Sequence, residues 1–401
     1  MPEAPAVFSA PPRGRARVMI SAGEPSGDMH AAALVREAAA RRPDLAFFGL
    51  GGDLMAAAGV ELLAHLRETA LMGFTELLGS LRRVLKLRSR LAALAAAEKP
   101  AALVLIDSPD FNFALAKAAK RAGVPVVWYI CPQVWAWRRG RLKLLRDFVD
   151  RRAVIFPFEA DFFRRAGLPA DLVGHPLLDE LRLPPKPKAE ILQDLELPPE
   201  SRVVAVLPGS RRAMAKRLAG PMFGAIDLLL DRFPDLTPAV PRAQSLSPDD
   251  LRPLIEAAPE RVRRRLKIYD GRSAEILASA EAALLASGTS TVEATLLGAP
   301  MVAAYRTSAL SWLAARLLVR TPFVTAANLV AGRAIVPELL QSQATAGNLA
   351  AALAPLLAGG DRRAQTLKDL AETAARLGGP GAAARTLAVL TQAMEAGRAR
   401  V

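Results

Sequence analysis

Along the first half of the chain, short runs of Val, Ile and Leu alternate with longer stretches rich in Ala, Leu and Arg. The short runs are RVMISAG (17–23), LAFFGLGG (45–52), AALVLIDSP (101–109), VPVVWYICP (124–132) and RRAVIFPF (151–158). Each is apolar on both faces and stops at Gly, Pro, Asp or Ser, as parallel strands do when helices cover both sides of their sheet. Between most of them the spacing predicts helices, around 28–41, 75–97, 111–122 and 138–148. Repeated βα alternation of this kind predicts a doubly wound α/β sheet.

A proline-rich change of texture at 183–200 reads as a linker. The alternation then restarts with RVVAVLPGSRR (202–212), LTPAVPRA (236–243), RLKIYDGRS (265–273), AALLASGTST (282–291) and APMVAAYRTS (299–308). The last fifty residues read as helical. The expected organisation is an α/β domain over 1–185, a second over 186–350 and a helical segment over 351–401. Two such sheets are expected to face a cleft, with ligands beyond the carboxyl ends of their strands.

Length and composition agree with two folded domains: 401 residues, 52% hydrophobic and 23% charged. The charge balance adds something new. Fifty-three basic against 39 acidic side chains give +14, which implies affinity for polyanions such as phosphorylated substrates or an anionic membrane face. With aromatics at 5% the stacking platforms of single-strand nucleic-acid binders are scarce, so no nucleic-acid partner is expected. The lone Cys131 excludes an intramolecular disulfide and reads as a buried structural thiol. The N-terminus lacks the pattern of a signal peptide, and no apolar run is long enough to span a bilayer, so the expectation is a cytoplasmic chain.

Four polar clusters fall at predicted strand ends. In SGTSTVE (287–293), Ser287, Gly288 and Thr289 open a helix whose N–H groups suit a diphosphate, and Glu293 is placed to accept from ribose hydroxyls. The same residues would equally make an ordinary Ser/Thr cap with a first-turn Glu. In LPGSRR (207–212), Arg211 can fork onto phosphate oxygens or stay solvated. Asp107 and Asp110 bracket Ser108-Pro109; one reading makes Asp107 a general base, the other makes the pair a turn and a helix cap. In GEPSGD (23–28) there is neither a dinucleotide fingerprint nor a Walker lysine, and two carboxylates stand where a phosphate would sit. Glu24, Ser26 and Asp28 therefore suit a hydroxyl-rich ligand such as a sugar. His30, His65 and His175 have no metal-ligand spacing, and no metal or other cofactor is expected; His30 is the one beside the loop. Finally, 71–90 reads as a basic amphipathic helix. Phe74, Leu77, Leu78, Leu81 and Leu85 share a stripe, and Arg82, Arg83, Lys86 and Arg90 the opposite face. That pattern suits an anionic membrane or acylated ligands, or else a core-packed helix with a solvated basic side.

The motifs SAGEPSGD, GFTELLGSLRR, IDSPDFNF, CPQVWAWRRGR, FPFE, GHPLLD, LPGSR, LLASGTSTVE and NLVAGR occur in this order between about residues 17 and 342. Together they resemble the lipid-A-disaccharide synthases, family-19 glycosyltransferases of Gram-negative outer-membrane biogenesis. The resemblance implies a two-domain GT-B fold and an inverting, metal-independent transfer. UDP-2,3-diacylglucosamine would be the donor and 2,3-diacylglucosamine 1-phosphate (lipid X) the acceptor, giving a β-1,6-linked tetraacyl disaccharide 1-phosphate and UDP. It further implies peripheral association with the anionic inner-membrane surface, and leaves a homodimer with swapped C-terminal segments open. Carried onto this chain, the pattern makes Asp107 the base. Arg211, Ser287, Gly288, Thr289, Glu293 and Asn328 would contact the donor nucleotide, and Glu24, Ser26, Asp28, His30 and Asp110 would lie on the acceptor side. Pro25, Met214 and Ala327 depart from the usual Ala, Glu and Pro of the family. Two rival readings are a UDP-sugar 2-epimerase of the same fold and a catalytically silent nucleotide-sugar or membrane-binding module.

Overall fold

The computed structural model describes residues 15–69, 77–181, 183, 185–319 and 321–399. It divides into two compact units, one running to Asp179 and resuming at Pro380, the other comprising Glu180–Gly379.

In the first unit, seven parallel strands form one sheet. They are β1 (Ala16–Ala22), β2 (Leu45–Gly51), β3 (Glu61–His65), β4 (Ala102–Ile106), β5 (Val126–Tyr129), β6 (Arg151–Val154) and β7 (Asp171–Leu172), in the order β3-β2-β1-β4-β5-β6-β7. All five runs expected as strands in this half are present. β3 and β7 are additions at the two edges, where exposure breaks the all-apolar pattern. The central strands β1, β4 and β5 are almost wholly buried, and helices Leu77–Glu98 and Pro109–Arg121 help cover one face through Leu87, Leu91, Phe111 and Leu115. The chain reverses its winding between β1 and β4, which are hydrogen-bonded neighbours (Ala22 beside Ile106).

The second unit repeats the plan with six parallel strands. These are β8 (Arg202–Leu207), β9 (Leu236–Arg242), β10 (Lys267–Asp270), β11 (Ala282–Ala286), β12 (Met301–Tyr305) and β13 (Glu338–Leu340), in the order β10-β9-β8-β11-β12-β13. Here the winding reverses between β8 and β11.

The structure adds detail to two parts of this organisation. The segment 183–200 is more than a linker: residues Lys188–Asp194 are helical, and Ile191, Leu192, Leu195 and Leu197 join the core of the second unit. Apolar spacing inside a proline-rich frame produces a helix flanked, rather than abolished, by its prolines. The segment 351–401 is likewise not one body. Helices Ala346–Leu357 and Gly360–Arg376 belong to the second unit, whereas helix Ala382–Arg398 returns to the first. There it packs against helix Pro25–Arg41 and strands β4 to β6, burying Leu387, Leu390, Ala393 and Met394. Asp179 accepts from the backbone N–H groups of Gly381 and Ala383 at its start, and Gly397 lies so close to Pro125 that a Cβ would clash at 2.3 Å.

Candidate functional site

In an open parallel sheet, ligands bind where neighbouring strands send their connections in opposite directions, because that leaves a crevice between two loops. The loops at that point in the first unit are 23–28 after β1 and 107–110 after β4. In the second unit they are 208–211 after β8 and 287–293 after β11. All four polar clusters singled out from the sequence therefore sit at the two switch points.

In the first unit the two loops touch. A Cβ on Gly23 would stand 2.4 Å from Ser108 Oγ, so only glycine allows this approach. Asp107 and Ser108 both adopt left-handed backbone (φ +48° and +44°), a conformation that costs a non-glycine residue free energy and clusters at functional sites. Asn112 holds them there. Fully buried, it donates from Nδ2 to the carbonyls of Ile106 (3.2 Å) and Asp107 (2.9 Å), and its Oδ1 accepts from Ser21 Oγ at 2.8 Å. The Asp107 side chain is thus carried half-exposed on a braced turn at the end of a central strand.

The remaining acceptor-side candidates separate. Glu24 and Ser26 are exposed at the start of helix Pro25–Arg41, where Pro25 occupies the first helical position that proline favours. Asp28 is buried and faces the backbone of a remote loop. Its Oδ1 accepts from Gly52 N (2.7 Å) and Met55 N (3.1 Å), and its Oδ2 from Leu54 N (3.1 Å), so it caps helix Asp53–Ala57. Replacing Asp28 by alanine leaves these donors in a dry site and is expected to lower stability by about 3 kcal/mol. Urea unfolding of Asp28→Ala and Asp28→Asn measures this, with the asparagine recovering part of the loss. Asp110 is likewise not placed as a base, because it pairs with Arg138 (3.2 Å) and Arg141. His30 is buried and close to His175.

One residue the sequence reading left without a role is Glu159 of FPFE. It is buried in the first turn of helix Pro157–Arg165, which follows β6, accepting from Trp135 Nε1 (3.0 Å) and from the backbone of Ile155 and Phe156 (3.1 Å each). Burial raises its pKa to about 7 against those hydrogen bonds. Nearby, burial pushes His175 down to about 3, and its ring lies 5.2 Å from that of Phe156. Cys131 is buried, its thiol raised by desolvation and directed at the Trp128 carbonyl (3.6 Å), as an inert structural thiol should be.

In the second unit, Arg211 stands exposed at the position preceding helix Arg212–Leu229. The turn before it closes on Met214: Gly209 has φ +118°, and a Cβ there would strike the Met214 sulfur at 2.8 Å. Met214 is thus a packing residue of this turn. Helix Thr289–Leu296 opens with Gly288 and Thr289 exposed, leaving its first N–H groups accessible. Ser287 Oγ donates to Val324 O at 3.3 Å. Glu293 is half-buried and accepts from Ser273 Oγ at 2.7 Å; desolvation, then the like charges of Glu180 and Glu275, raise its pKa. Asn328 lies deeper. Buried, it accepts from Ile335 N (2.8 Å) and Val336 N (3.0 Å) and donates to Val336 O (2.9 Å) and Glu338 Oε1 (2.8 Å), which uses its full amide capacity. It fixes the 324–338 loops.

Of the basic stretch 71–90, Phe74 lies outside the described residues, as do the side chains of Leu77, Leu78 and Leu81. Further along, Leu85 is exposed beside exposed Arg82, Arg83 and Lys86, while Leu87 and Leu91 face the core. A second apolar surface went unread in the sequence: helix Ala309–Leu318 buries none of its residues and exposes Leu310, Leu313 and Leu317 by 57–80%. Among the described residues no helix is long and apolar enough to cross a membrane.

Comparison with known proteins bears on this geometry. A sequence model of lipid-A-disaccharide synthetase matches residues 18–391. The lipid-A-disaccharide synthase of Myxococcus xanthus is 40% identical over 382 residues, covering 95% of this chain and 98% of its own. That of Geobacter metallireducens is 41% identical over 377 residues, covering 94% and 97%. Among solved structures, UDP-GlcNAc 2-epimerase from Neisseria meningitidis bound to UDP-GlcNAc superposes with a TM-score of 0.65 at 14% identity, covering 94% of this chain and all of the other. MurG from Acinetobacter baumannii does so with a TM-score of 0.57 at 15% identity, covering 94% and 99%. Likeness at this level shows a shared fold.

Proposed function

The chain belongs to the lipid-A-disaccharide synthetase family, and from that premise we propose that it transfers the diacylglucosaminyl group of UDP-2,3-diacylglucosamine to the 6-hydroxyl of 2,3-diacylglucosamine 1-phosphate. Kinship at about 40% identity over nearly the whole chain separates this reading from the epimerase, whose likeness is one of fold. The single observation in the molecule that carries it is the braced Asp107 at the switch point of the first unit.

Asp107 takes the proton from the acceptor 6-hydroxyl as that oxygen attacks the anomeric carbon of the donor from the side opposite UDP. The new C–O bond forms as the anomeric carbon–phosphate oxygen bond breaks, which inverts the centre. Negative charge then gathers on the departing diphosphate. In the second unit the open N-terminus of helix Thr289–Leu296 and the guanidinium of Arg211 are the groups suited to meet it, without a metal ion. Glu293 is suited to accept from the ribose, the kind of bond acidic residues make in dinucleotide folds. Exposed Leu85 among Arg82, Arg83 and Lys86, with the apolar helix Ala309–Leu318, supports peripheral contact with an anionic inner-membrane surface from the cytoplasmic side.

Purified protein in mixed micelles with both substrates and excess EDTA is expected to release UDP and the tetraacyl disaccharide 1-phosphate over many turnovers, read by mass spectrometry. UDP release without disaccharide would assign a different acceptor. Absence of turnover with UDP still bound would return the chain to the silent-module reading.

A further inference from the structure

Three guanidinium groups converge on the segment that follows Asp107. Arg138 Nη1 lies 3.2 Å from Asp110 Oδ1, Arg141 donates to the same oxygen, and Arg88 donates to the Asp110 carbonyl at 3.2 Å. Three cations face one carboxylate, so two positive charges are left over, at the N-terminal turn of helix Pro109–Arg121, whose dipole adds to them. Stability does not account for such a concentration. Asp110 is 75% exposed, and exposed ion pairs contribute about 0–1 kcal/mol.

The cluster is nevertheless built. Arg138 takes left-handed backbone (φ +52°), which turns its chain back over the Trp137 ring at 4.4 Å. Arg141 is nearly buried, 5.8 Å from the rings of both Phe113 and Trp137. Planar guanidinium groups fixed by stacking lose little further freedom when they take up an oxyanion.

We propose that Arg88, Arg138 and Arg141 form the subsite for the phosphomonoester of the acceptor; the inference rests on the transfer proposed above. A phosphate with two negative charges matches the surplus, and its oxygens accept forked hydrogen bonds that a neutral sugar end cannot. The position fits as well. Only Ser108 and Pro109, at most about 10 Å of chain, separate Asp107 from Asp110. A pyranose with its 6-hydroxyl at Asp107 has its anomeric phosphate at the opposite end of the ring, toward the arginines. In this arrangement Asp110 keeps the guanidiniums aligned in the empty enzyme.

The test compares two acceptors, 2,3-diacylglucosamine 1-phosphate and 2,3-diacylglucosamine itself, in the unaltered enzyme and in Arg138→Ala, Arg141→Ala and Arg138→Lys. The unaltered enzyme is expected to prefer the phosphorylated acceptor. Each alanine variant is expected to shrink the ratio of the two kcat/KM values by about tenfold or more, chiefly through KM, with lysine restoring part of it. Arg138 is exposed enough that its loss spares folding, which guards against a folding defect in Arg141→Ala. If both acceptors lose activity in the same proportion, or the ratio does not move, the arginines only support the loop and the subsite is overturned. Absence of disaccharide from the unaltered enzyme would overturn the proposed function, and this inference with it.

Discussion

Replacement of Asp107 by asparagine is expected to lower kcat by about 10²–10⁴-fold, the usual contribution of a positioned general base. Asparagine is the informative substitution because it tolerates left-handed backbone at least as well as aspartate. The turn at φ +48° and its bonds from Asn112 then survive while the basic oxygen is lost. Asp107→Ala should show the same loss of turnover together with about 1 kcal/mol of destabilisation, since alanine pays more for that conformation. Because the residues proposed to contact the donor belong to the other unit, KM for the UDP-sugar should change little in either variant. Turnover within tenfold of the unaltered enzyme, in a folded Asp107→Asn protein, would remove Asp107 from the chemistry.

The second large effect is one of stability against pH, and it is hidden in the unaltered protein. His175 titrates near 3 when folded and near 6.5 when unfolded. Its contribution is therefore complete above pH 6.5 and is lost as the pH falls toward 3. Glu159 is shifted the other way, from 4.5 to about 7. Its contribution is complete below pH 4.5 and is lost as the pH rises through 7. Between pH 4.5 and 6.5 the folded state holds a proton on Glu159 that the unfolded chain has released, and lacks one on His175 that the unfolded chain has gained. The two slopes cancel. Each single variant exposes the other's slope, worth roughly 3 kcal/mol across that window. Urea titrations at pH 4.5 and 6.5 should find Glu159→Gln less stable at the lower pH and His175→Gln less stable at the higher. Parallel behaviour of the two variants would show that the buried pair does not titrate in this way.

How far the sequence carried these conclusions depends on what each residue contacts. Strands β1, β2, β4 and β5 were legible because burial on both faces demands unbroken apolar runs. The edge strands β3 and β7 lack that demand, and β13 has only three partly buried residues. The positions of the four polar clusters were legible for a related reason: each ends an apolar run, and strand ends at switch points are where such loops must go. Direction was not legible. Asp28 and Asn328 sit in motifs that look ligand-facing, yet both are consumed by backbone donors from residues 52–55 and 335–336. A buried carboxylate or amide in a glycine-rich loop has the same sequence signature whether it serves a ligand or a remote peptide group. Glu159 had no readable role for the same reason, since its partner Trp135 comes from the loop that follows β5.

The return of helix Ala382–Arg398 to the first unit has a consequence for biosynthesis. A nascent chain emerges from the ribosome in order, so the strands of the first sheet are available well before the helix that covers part of it. The surface destined for Leu387, Leu390 and Met394 must wait, uncovered, while the whole of Glu180–Gly379 is made and collapses. The unit translated first is thus the last to be completed, and a ribosome that stalls before codon 380 would release a chain with a finished second unit and an open first one. Such a product would present apolar strand and helix faces to the cell's chaperones and proteases.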